Sequence, residues 1–319
     1  MLLFFFLLAF RGLQCGNDTK QYLRLFNKYT AYNAIQLFTE YNHELGYKLL
    51  NKLVGIITND YQILLAVTAF ICVPPLWLFY RRESEHQLLT IALFLTVFPF
   101  VLYFSGIRQA ITISLGVPAW YCAKNKKFFA FICVVMLAML FHTSAFMLMV
   151  IYPLYYTRIT KKWLWFVIPC MALIFVFRVP IFNFLITLLW KEYDQTATTG
   201  ATTILILLVL FGVYAYILPN EKDLDPDAIA MRNILLLSIV LQFFAMLHPL
   251  AMRMNYYFLL FVPVLIPKIA KQSKKQFKQI SKLSVIVMTV YFLYYFVDTI
   301  ITDNDPLNIF PYIPFWRNG

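Results

Sequence analysis

An arginine and a glutamine stand where one long apolar run ends and the next begins. Segment 104–110 reads Phe-Ser-Gly-Ile-Arg-Gln-Ala, between apolar runs at 88–104 and 111–121. Ionisable groups at membrane depth are costly, so they usually serve a substrate, a partner or a pore. The planar guanidinium of Arg108 can grip phosphate oxygens in pairs, and the start of a helix adds further anion-binding donors. Arg108 and Gln109 are therefore candidate anion ligands, and the alternative for Arg108 is snorkelling or pairing with a buried carboxylate.

A histidine and a serine lie in the short turn between two later apolar runs, where residues 141–145 read Phe-His-Thr-Ser-Ala. A histidine can act as general base or acid near neutral pH, which makes His142 a candidate catalytic residue. Its alternative role is to satisfy a helix end by hydrogen bonding, and Ser144 is equally suited to cap a helix. The residue types alone leave both roles open.

A second arginine lies in the turn at 252–257, which reads Met-Arg-Met-Asn-Tyr-Tyr and has no other basic residue. Two arginines suit a pyrophosphate better than one positive charge does. The neighbouring Tyr256 and Tyr257 could pack on a sugar ring or a prenyl tail, or belong to the aromatic belt at the membrane interface. Arg253 and these two tyrosines are candidate substrate ligands.

Three carboxylates precede the second apolar run and are further candidates for proton transfer. Asp18, Glu40 and Glu44 could pair with an arginine or accept a proton from a sugar hydroxyl, although a solvated loop carboxylate needs neither role. The sequence shows no cage of metal ligands, no serine triad and no glycine-rich phosphate loop. No metal and no other cofactor is predicted.

The composition places these residues in a membrane protein. Of 319 residues, 61% are hydrophobic and only 13% are charged, and the mean hydropathy is +0.71. Soluble domains carry nearly twice that share of charges. The net charge of +12 does not indicate nucleic-acid binding, because the lysines and arginines fall mainly in loops between apolar runs. The five cysteines show no metal-ligand spacing and are interpreted as packing residues.

The apolar runs predict an all-α, polytopic membrane protein with about eleven transmembrane helices, embedded as one domain over 1–319. The run at 1–10 is too short to cross a bilayer, and we interpret it as a clipped first span rather than a signal peptide. A long loop at 11–60 follows, in which leucines at helical spacing near 49–57 predict a short amphipathic helix. The later spans are predicted at 61–80, 88–104, 107–121, 128–141, 144–156, 163–177, 203–218, 229–244, 256–269 and 283–297.

The basic residues predict the orientation of these spans. One set of alternating loops holds most of them and is predicted to be cytoplasmic. The loop at 11–60, the turns around Arg108, His142 and Arg253, and the loop at 178–202 are then extracytoplasmic. The basic residues on the predicted cytoplasmic side are Arg81, Arg82, Lys124, Lys126, Lys127, Arg158, Lys161, Lys162, Lys222, Lys271, Lys274, Lys275, Lys278 and Lys282.

Several short motifs, in this order and on one predicted side, resemble the EpsG/Wzy-type family of exopolysaccharide and O-antigen polymerases. The resemblance covers nearly the whole chain. Asn17 stands where the family often has threonine. The motifs are Arg11 followed by Gly16-Asn17-Asp18-Thr19 and Tyr22, then Glu44 with Gly46-Tyr47 and Leu50-Asn51, Ser105 to Ala110, Phe141 to Ala145, Arg253 with Tyr256, and Pro311-Tyr312.

The resemblance implies a glycosyltransferase-type polymerase at the outer face of the bacterial cytoplasmic membrane, acting in exopolysaccharide, capsule or O-antigen biosynthesis. Its substrate would be an undecaprenyl-pyrophosphate-linked oligosaccharide, and its partners membrane lipid and other polysaccharide-assembly proteins. Two arginines could replace a metal at the leaving pyrophosphate.

Within this interpretation the candidate residues take specific roles. Arg108 and Arg253 grip the pyrophosphate and Arg11 is a third clamp. His142 is the first candidate base, with Glu44 and Asp18 next. The alternatives are a flippase for the same lipid-linked glycan, whose polar groups would lie near the bilayer midplane, and an outer-face glycan ligase.

Overall fold

The structure is a computed structural model that describes residues 1–40, 43–97, 100–189, 200–302 and 308–317. Within these ranges the regular secondary structure is helical. Extended pairing in the same ranges is confined to two isolated bridges, Arg11 with Pro314 and Pro219 with Ser273. The prediction of an all-α fold is confirmed.

The first half of the chain forms short helices around one long helix. They are α1 (Leu2–Ala9), α2 (Thr19–Ala31), α3 (Ala34–Thr39), α4 (Leu45–Ile57), α5 (Tyr61–Glu83), α6 (Gln87–Thr96), α7 (Leu102–Ser105), α8 (Ile107–Lys124) and α9 (Phe128–Met139), followed by a 3-10 helix at Thr143–Val150.

The second half contains longer helices. They are α10 (Ile151–Tyr156), α11 (Leu164–Val176), α12 (Arg178–Leu189), α13 (Ala201–Ile217), α14 (Pro226–Ala245), α15 (Pro249–Leu259), α16 (Val262–Lys271) and α17 (Lys278–Ile301). Short 3-10 helices precede α11 and α17 at Lys161–Trp163 and Lys275–Phe277, and another lies at Phe315–Arg317.

Three helices of the described residues are long and apolar enough to cross a membrane by themselves, namely α5, α14 and α17 with its preceding turn. Two further pairs pass the same test together but are bent, by 118° between Thr143–Tyr156 and Lys161–Val176 and by 44° between α15 and α16. The chain is therefore a helical protein with segments long and apolar enough to span a membrane. The number of about eleven spans stays a prediction.

Helix α12 differs from the sequence prediction, which had an extracytoplasmic loop at 178–202. Residues 178–189 are helical, while 190–199 lie outside the described residues. Two polar residues, Asn183 and Thr187, interrupt this apolar run and made it resemble a loop. The Thr187 hydroxyl donates to the Asn183 carbonyl at 2.8 Å, so its polarity is satisfied within the helix.

The chain divides into two compact units. Unit 1 comprises Met1–Glu83, Phe94–Met149 and Tyr291–Gly319. In it, α5 packs against α1 and α8, α8 packs against α9, and α2 packs against α4. Helix α4 lies where a short amphipathic helix was predicted; it buries Tyr47 and Val54 and leaves Ile57 82% exposed.

The C-terminal segment of unit 1 returns to the start of the chain. The amide of Phe315 donates to Phe10 and that of Gly12 to Ile313, at 2.9 and 2.8 Å. Gly16 adopts φ +89°, and a Cβ there would lie 2.4 Å from the Phe104 carbonyl oxygen. Only glycine allows this approach, which brings the 16–19 segment against the end of α7.

Unit 2 comprises Ser84–Leu93 and Val150–Val290 and is built around α14. Helices α10 to α13, α15 and α16 all contact α14. Asp225 caps α14 by accepting from the Ala228 amide at 2.6 Å, and Pro226 starts the helix. One polar network in this core is hydrogen-bonded, since buried Asn255 accepts from Ser238 at 2.6 Å and donates to Gln242 at 2.8 Å.

Candidate active site

Arg108 lies in the first turn of α8, immediately after the sharp junction at Gly106. A Cβ on Gly106 would lie 2.9 Å from a Leu102 side-chain carbon, so the junction leaves little space for a larger residue. The Ser105 hydroxyl accepts a hydrogen bond from the Asn17 amide at 3.0 Å, which ties the junction to the start of α2. These contacts hold Arg108 at a defined position.

The guanidinium of Arg108 forms an ion pair with Glu44, which precedes α4. Its Nη1 donates to Oε2 of the carboxylate, and the side chains are only 22% and 16% exposed. The other carboxylate oxygen, Oε1, accepts from both the amide and the hydroxyl of Thr143, each at 3.0 Å. One carboxylate therefore joins α8, α4 and the turn that follows α9.

Gly46 explains why Glu44 reaches that turn. Its amide donates to the Leu140 carbonyl at 2.7 Å, and a Cβ on Gly46 would lie 2.7 Å from the same oxygen. The start of α4 therefore lies directly on the end of α9, and Glu44 and Thr143 are brought together by this backbone contact.

The surroundings of Glu44 keep it ionised. Burial raises the pKa of its carboxyl group, but the Arg108 charge and the Thr143 hydrogen bond lower it by more, so that the net pKa is below the ordinary value of 4.5. A carboxylate with a lowered pKa and three donors is a weak proton acceptor at neutral pH. Glu44 is better suited to fix Arg108 than to deprotonate a hydroxyl.

His142 and Ser144 interact with each other next to this cluster. Nδ1 of His142 accepts from the Ser144 amide at 3.3 Å and lies 2.9 Å from the Ser144 hydroxyl oxygen. An amide can only donate, so the neutral ring carries its proton on Nε2. His248 makes the same contact, accepting from the Leu250 amide at 3.0 Å at the start of α15. The helix-capping role considered for His142 therefore matches its geometry, which also leaves Nε2–H as its donor.

Tyrosines and a second histidine, which the sequence analysis did not select as site residues, surround Arg108. The Tyr22 hydroxyl interacts with the Arg108 side chain, and burial raises the pKa of this phenol while the arginine charge opposes the rise. The Tyr22 ring packs edge-on against Tyr47 at 5.7 Å. Tyr29 lies 2.5 Å from Nδ1 of His43, whose pKa is lowered by burial and then by Arg108. Tyr22 and Tyr47 belong to the motifs by which the chain resembles the family, and this membership could have identified them as site residues.

Two of the predicted residues lie on the elements that carry the cluster. Asp18 is half-buried at the start of α2, and its charge contributes to the raised pKa of Tyr22. Gln109 follows Arg108 in α8 and is 4% exposed, so its side chain is inside unit 1.

Arg11 is buried elsewhere in unit 1. It is 1% exposed, its Nη1 donates to the Leu8 carbonyl at 2.9 Å, and its guanidinium lies 5.8 Å from the Phe104 ring centroid. Its Nε and Nη2 have no hydrogen-bond partner among the residues that the structure describes, and a small cavity that Cys72 and Tyr103 also line adjoins it. The groups around Arg11 thus differ from those that hold Arg108.

Arg253, Tyr256 and Tyr257 belong to α15 in unit 2. Arg253 is exposed, Tyr256 is half-buried, and Tyr257 is fully buried. Tyr257 is therefore a core residue of that unit, and the proposed contact with a substrate fits Arg253 better than Tyr257.

Among the described residues, no group of three or more histidine, cysteine, aspartate or glutamate side chains could hold a metal ion. The fold and the cluster define a helical membrane protein in which short motifs from distant parts of the chain meet at one arginine and one carboxylate.

The chain belongs to the EpsG family, whose model matches residues 1–313. Membership indicates a role of the polysaccharide-polymerase type and association with a membrane. A search of curated proteins gave no match, and neither did a search of solved structures.

Proposed function

We propose that this protein is a polysaccharide polymerase of the bacterial cytoplasmic membrane. At the outer face it transfers a growing glycan from an undecaprenyl-pyrophosphate carrier onto the next lipid-linked repeat. The bond between the sugar C1 and the pyrophosphate oxygen breaks, the acceptor hydroxyl forms the new bond to C1, and its proton passes to a base. The lipid pyrophosphate leaves with the electron pair.

The observation that carries this proposal is the convergence of three motifs on Arg108. Glu44 lies 64 residues from Arg108 and 99 residues from Thr143, yet its carboxylate bonds both. The three segments carry motifs by which the chain resembles the family, and they meet at one restrained ion pair. A restrained arginine is a suitable device for a leaving pyrophosphate.

Glu44 and Tyr22 restrain Arg108 before substrate arrives. The guanidinium has five donors, of which Glu44 engages one and Tyr22 contacts the group as well, and we propose that donors outside these contacts bind phosphate oxygens. The Nε of Arg108 is buried and has no hydrogen-bond partner in the described structure. Gln109 and Arg253 stay proposed ligands, with Tyr256 and Ser144 as secondary contacts, whereas Arg11 and Tyr257 are buried and fit a contact with substrate less well.

His142 and Asp18 are the two candidates for the base that accepts the proton of the acceptor hydroxyl. His142 would have to release Ser144 to accept a proton at Nδ1, whereas the tautomer set by the Ser144 amide carries its proton on Nε2, the nitrogen that would donate to a phosphate or leaving oxygen. We therefore propose His142 as a donor to the departing group and Asp18 as the base for the acceptor hydroxyl. Glu44, the other candidate, acts through Arg108.

A flippase is the second candidate, and the bent helices favour it. Broken helices are common at transporter binding sites, and bends of 118° and 44° occur in the two helix pairs described above. An outer-face ligase is the third candidate and differs only in its acceptor.

The length and the leaflet of lipid-linked glycans in cells distinguish the polymerase, the flippase and the ligase. We would compare cells that carry the intact chain, a deletion, or Arg108→Ala, and measure glycan length and the leaflet on which single repeats accumulate. Single repeats on the outer leaflet indicate a failed polymerase, and single repeats on the inner leaflet indicate a flippase. Full-length polymer that stays on its lipid indicates a ligase. Unchanged chain length with Arg108→Ala contradicts the proposed role of Arg108.

A further inference from the structure

Unit 2 contains an apolar groove between α11, α13 and α14. Its volume is about 510 Å³, within the range of sites that bind drug-sized ligands. Helix α11 forms one wall along its whole length and buries none of its residues, whereas α14 is almost entirely buried. The groove is therefore open along the apolar α11, where a hydrocarbon chain would meet only apolar side chains.

The two ends of the groove differ. At one end the rings of Phe175 and Phe243 are in edge-to-face contact, with centroids 5.1 Å apart, and close it. At the other end Leu164 and Ile217 flank the opening. Two lysines neighbour these residues in the fold: Lys161 precedes Leu164 by three residues, and Lys274 follows Ser273, which forms a bridge with Pro219 two residues after Ile217.

Both lysines are tied to the residues that follow Ile217. The Lys161 ammonium donates to the Pro219 carbonyl at 3.4 Å, and the Lys274 amide donates to Leu218 at 2.9 Å. The Lys274 ammonium lies 5.5 Å from the Phe277 ring centroid, and burial, followed by the Lys274 charge, lowers the pKa of Lys161. An anion placed between two neighbouring like charges relieves their repulsion.

The nearest carboxylate is already engaged. Glu221 accepts from Arg232 with both carboxylate oxygens, at 2.8 and 3.0 Å, and its carbonyl accepts from Arg158 at 3.1 Å. Arg232 also stacks over Tyr216, which lines the groove, at 4.0 Å from the ring centroid. The opening of the groove therefore has an excess of positive charge.

We propose that this groove binds a hydrocarbon chain of an anionic phospholipid, whose phosphate lies between Lys161 and Lys274. Basic pockets next to membrane helices are suited to anionic headgroups. A neutral lipid would fill the apolar part but would not relieve the repulsion of the lysines. The site belongs to unit 2 and does not depend on the proposed polymerase activity.

Thermal unfolding of the purified full-length protein in neutral detergent tests the proposal. Dioleoyl phosphatidylglycerol should raise the unfolding temperature more than dioleoyl phosphatidylcholine, which has the same chains. Lys161→Gln with Lys274→Gln should raise the phosphatidylglycerol concentration for the half-maximal shift about tenfold or more. Lys161→Arg with Lys274→Arg should restore the response, and Lys127→Gln, which removes a lysine on another loop, should leave it unchanged.

A second variant keeps both lysines and fills the groove. Ala172 lines it and is exposed, so Ala172→Trp should occupy the space of the chain and abolish the phosphatidylglycerol shift. An equal shift with both lipids, or an undiminished phosphatidylglycerol shift in either the glutamine pair or Ala172→Trp, would overturn the proposal.

Discussion

Glu44 uses both carboxylate oxygens within the protein, and this determines what the residues around it can do. Arg108 occupies one oxygen and Thr143 the other. The carboxylate therefore acts as a fixed anion that orients an arginine, rather than as a mobile acid or base. Truncating either member of such a pair leaves the other partly buried without its partner.

Glu44→Ala should therefore destabilise the protein by about 2 kcal/mol, because it leaves the Arg108 charge poorly solvated. Arg108→Ala should have a similar effect, and the double variant should cost less than the sum of the two single variants by about 1 kcal/mol. Unfolding in detergent with a chemical denaturant measures all three. Strictly additive effects would show that the pair is not coupled.

The pH dependence of stability should follow Glu44. Because its pKa is lowered in the folded protein, the stability that it contributes is present above the ordinary carboxyl pKa and is lost as pH falls through the folded-state pKa. The unfolding temperature of the intact protein should exceed that of Glu44→Gln at pH 7, and the difference should shrink below pH 4.5. A difference that stays constant to pH 3 would contradict the ionised pair.

At the residue scale the sequence pointed to segments that meet in the structure but not to all of their contacts. Arg108 and the His142 turn were selected because polar groups are rare beside membrane spans, and Glu44 was selected as a carboxylate of the loop at 11–60. Thr143, which donates to Glu44, was not selected. Its residue type does not indicate a site, and its role is visible only once the structure places the Glu44 carboxylate next to it.

The backbone contact between the start of α4 and the end of α9 brings Glu44 and Thr143 together. Gly46→Ala should destabilise the protein, although alanine favours a helix over glycine by about 1 kcal/mol, because its Cβ would lie 2.7 Å from the Leu140 carbonyl oxygen. The hydrogen bonds from Thr143 to Glu44 should weaken in the same variant. Thermal unfolding measures the loss of stability, and glycan length in cells measures the loss of activity.

Gly212→Ala is the matched control for Gly46→Ala. Its Cβ would lie 3.2 Å from the flexible end of Ile239, so this side chain can adjust and the change should be nearly neutral. An equal loss of stability in both variants would mean that the α4–α9 contact is not the cause.

Helix patterns were predictable where they are regular. The spacing of the leucines in α4 and the length of α5 and α14 carry strong signals. Helix α12 was missed because two polar residues, satisfied within the helix, interrupt a short apolar run. Helices α2 and α3 were missed because their polar surface resembles a loop.

At the scale of the whole molecule, the orientation of the spans decides whether Arg108 and Arg253 face the same side. If α12 crosses the membrane, every later loop changes side. Single cysteines at Asn59, Lys127 and Lys222 in a background without native cysteines test the predicted orientation. A membrane-impermeant maleimide should label only the Asn59 site in intact cells and all three in opened membranes. Labelling at position 222 from outside would contradict the orientation between α9 and α14.

In the proposed function the protein joins lipid-linked repeats, with Arg108 at the leaving pyrophosphate. The most direct measurement supplies purified protein in liposomes with undecaprenyl-pyrophosphate-linked repeats and follows product length. Arg178→Ala, which removes an arginine that stacks on Phe175 outside the cluster, is the control. We predict polymer from the intact protein and from Arg178→Ala, and unreacted single repeats with Arg108→Ala. Polymer of normal length from Arg108→Ala, or no polymer from the intact protein, would contradict the account.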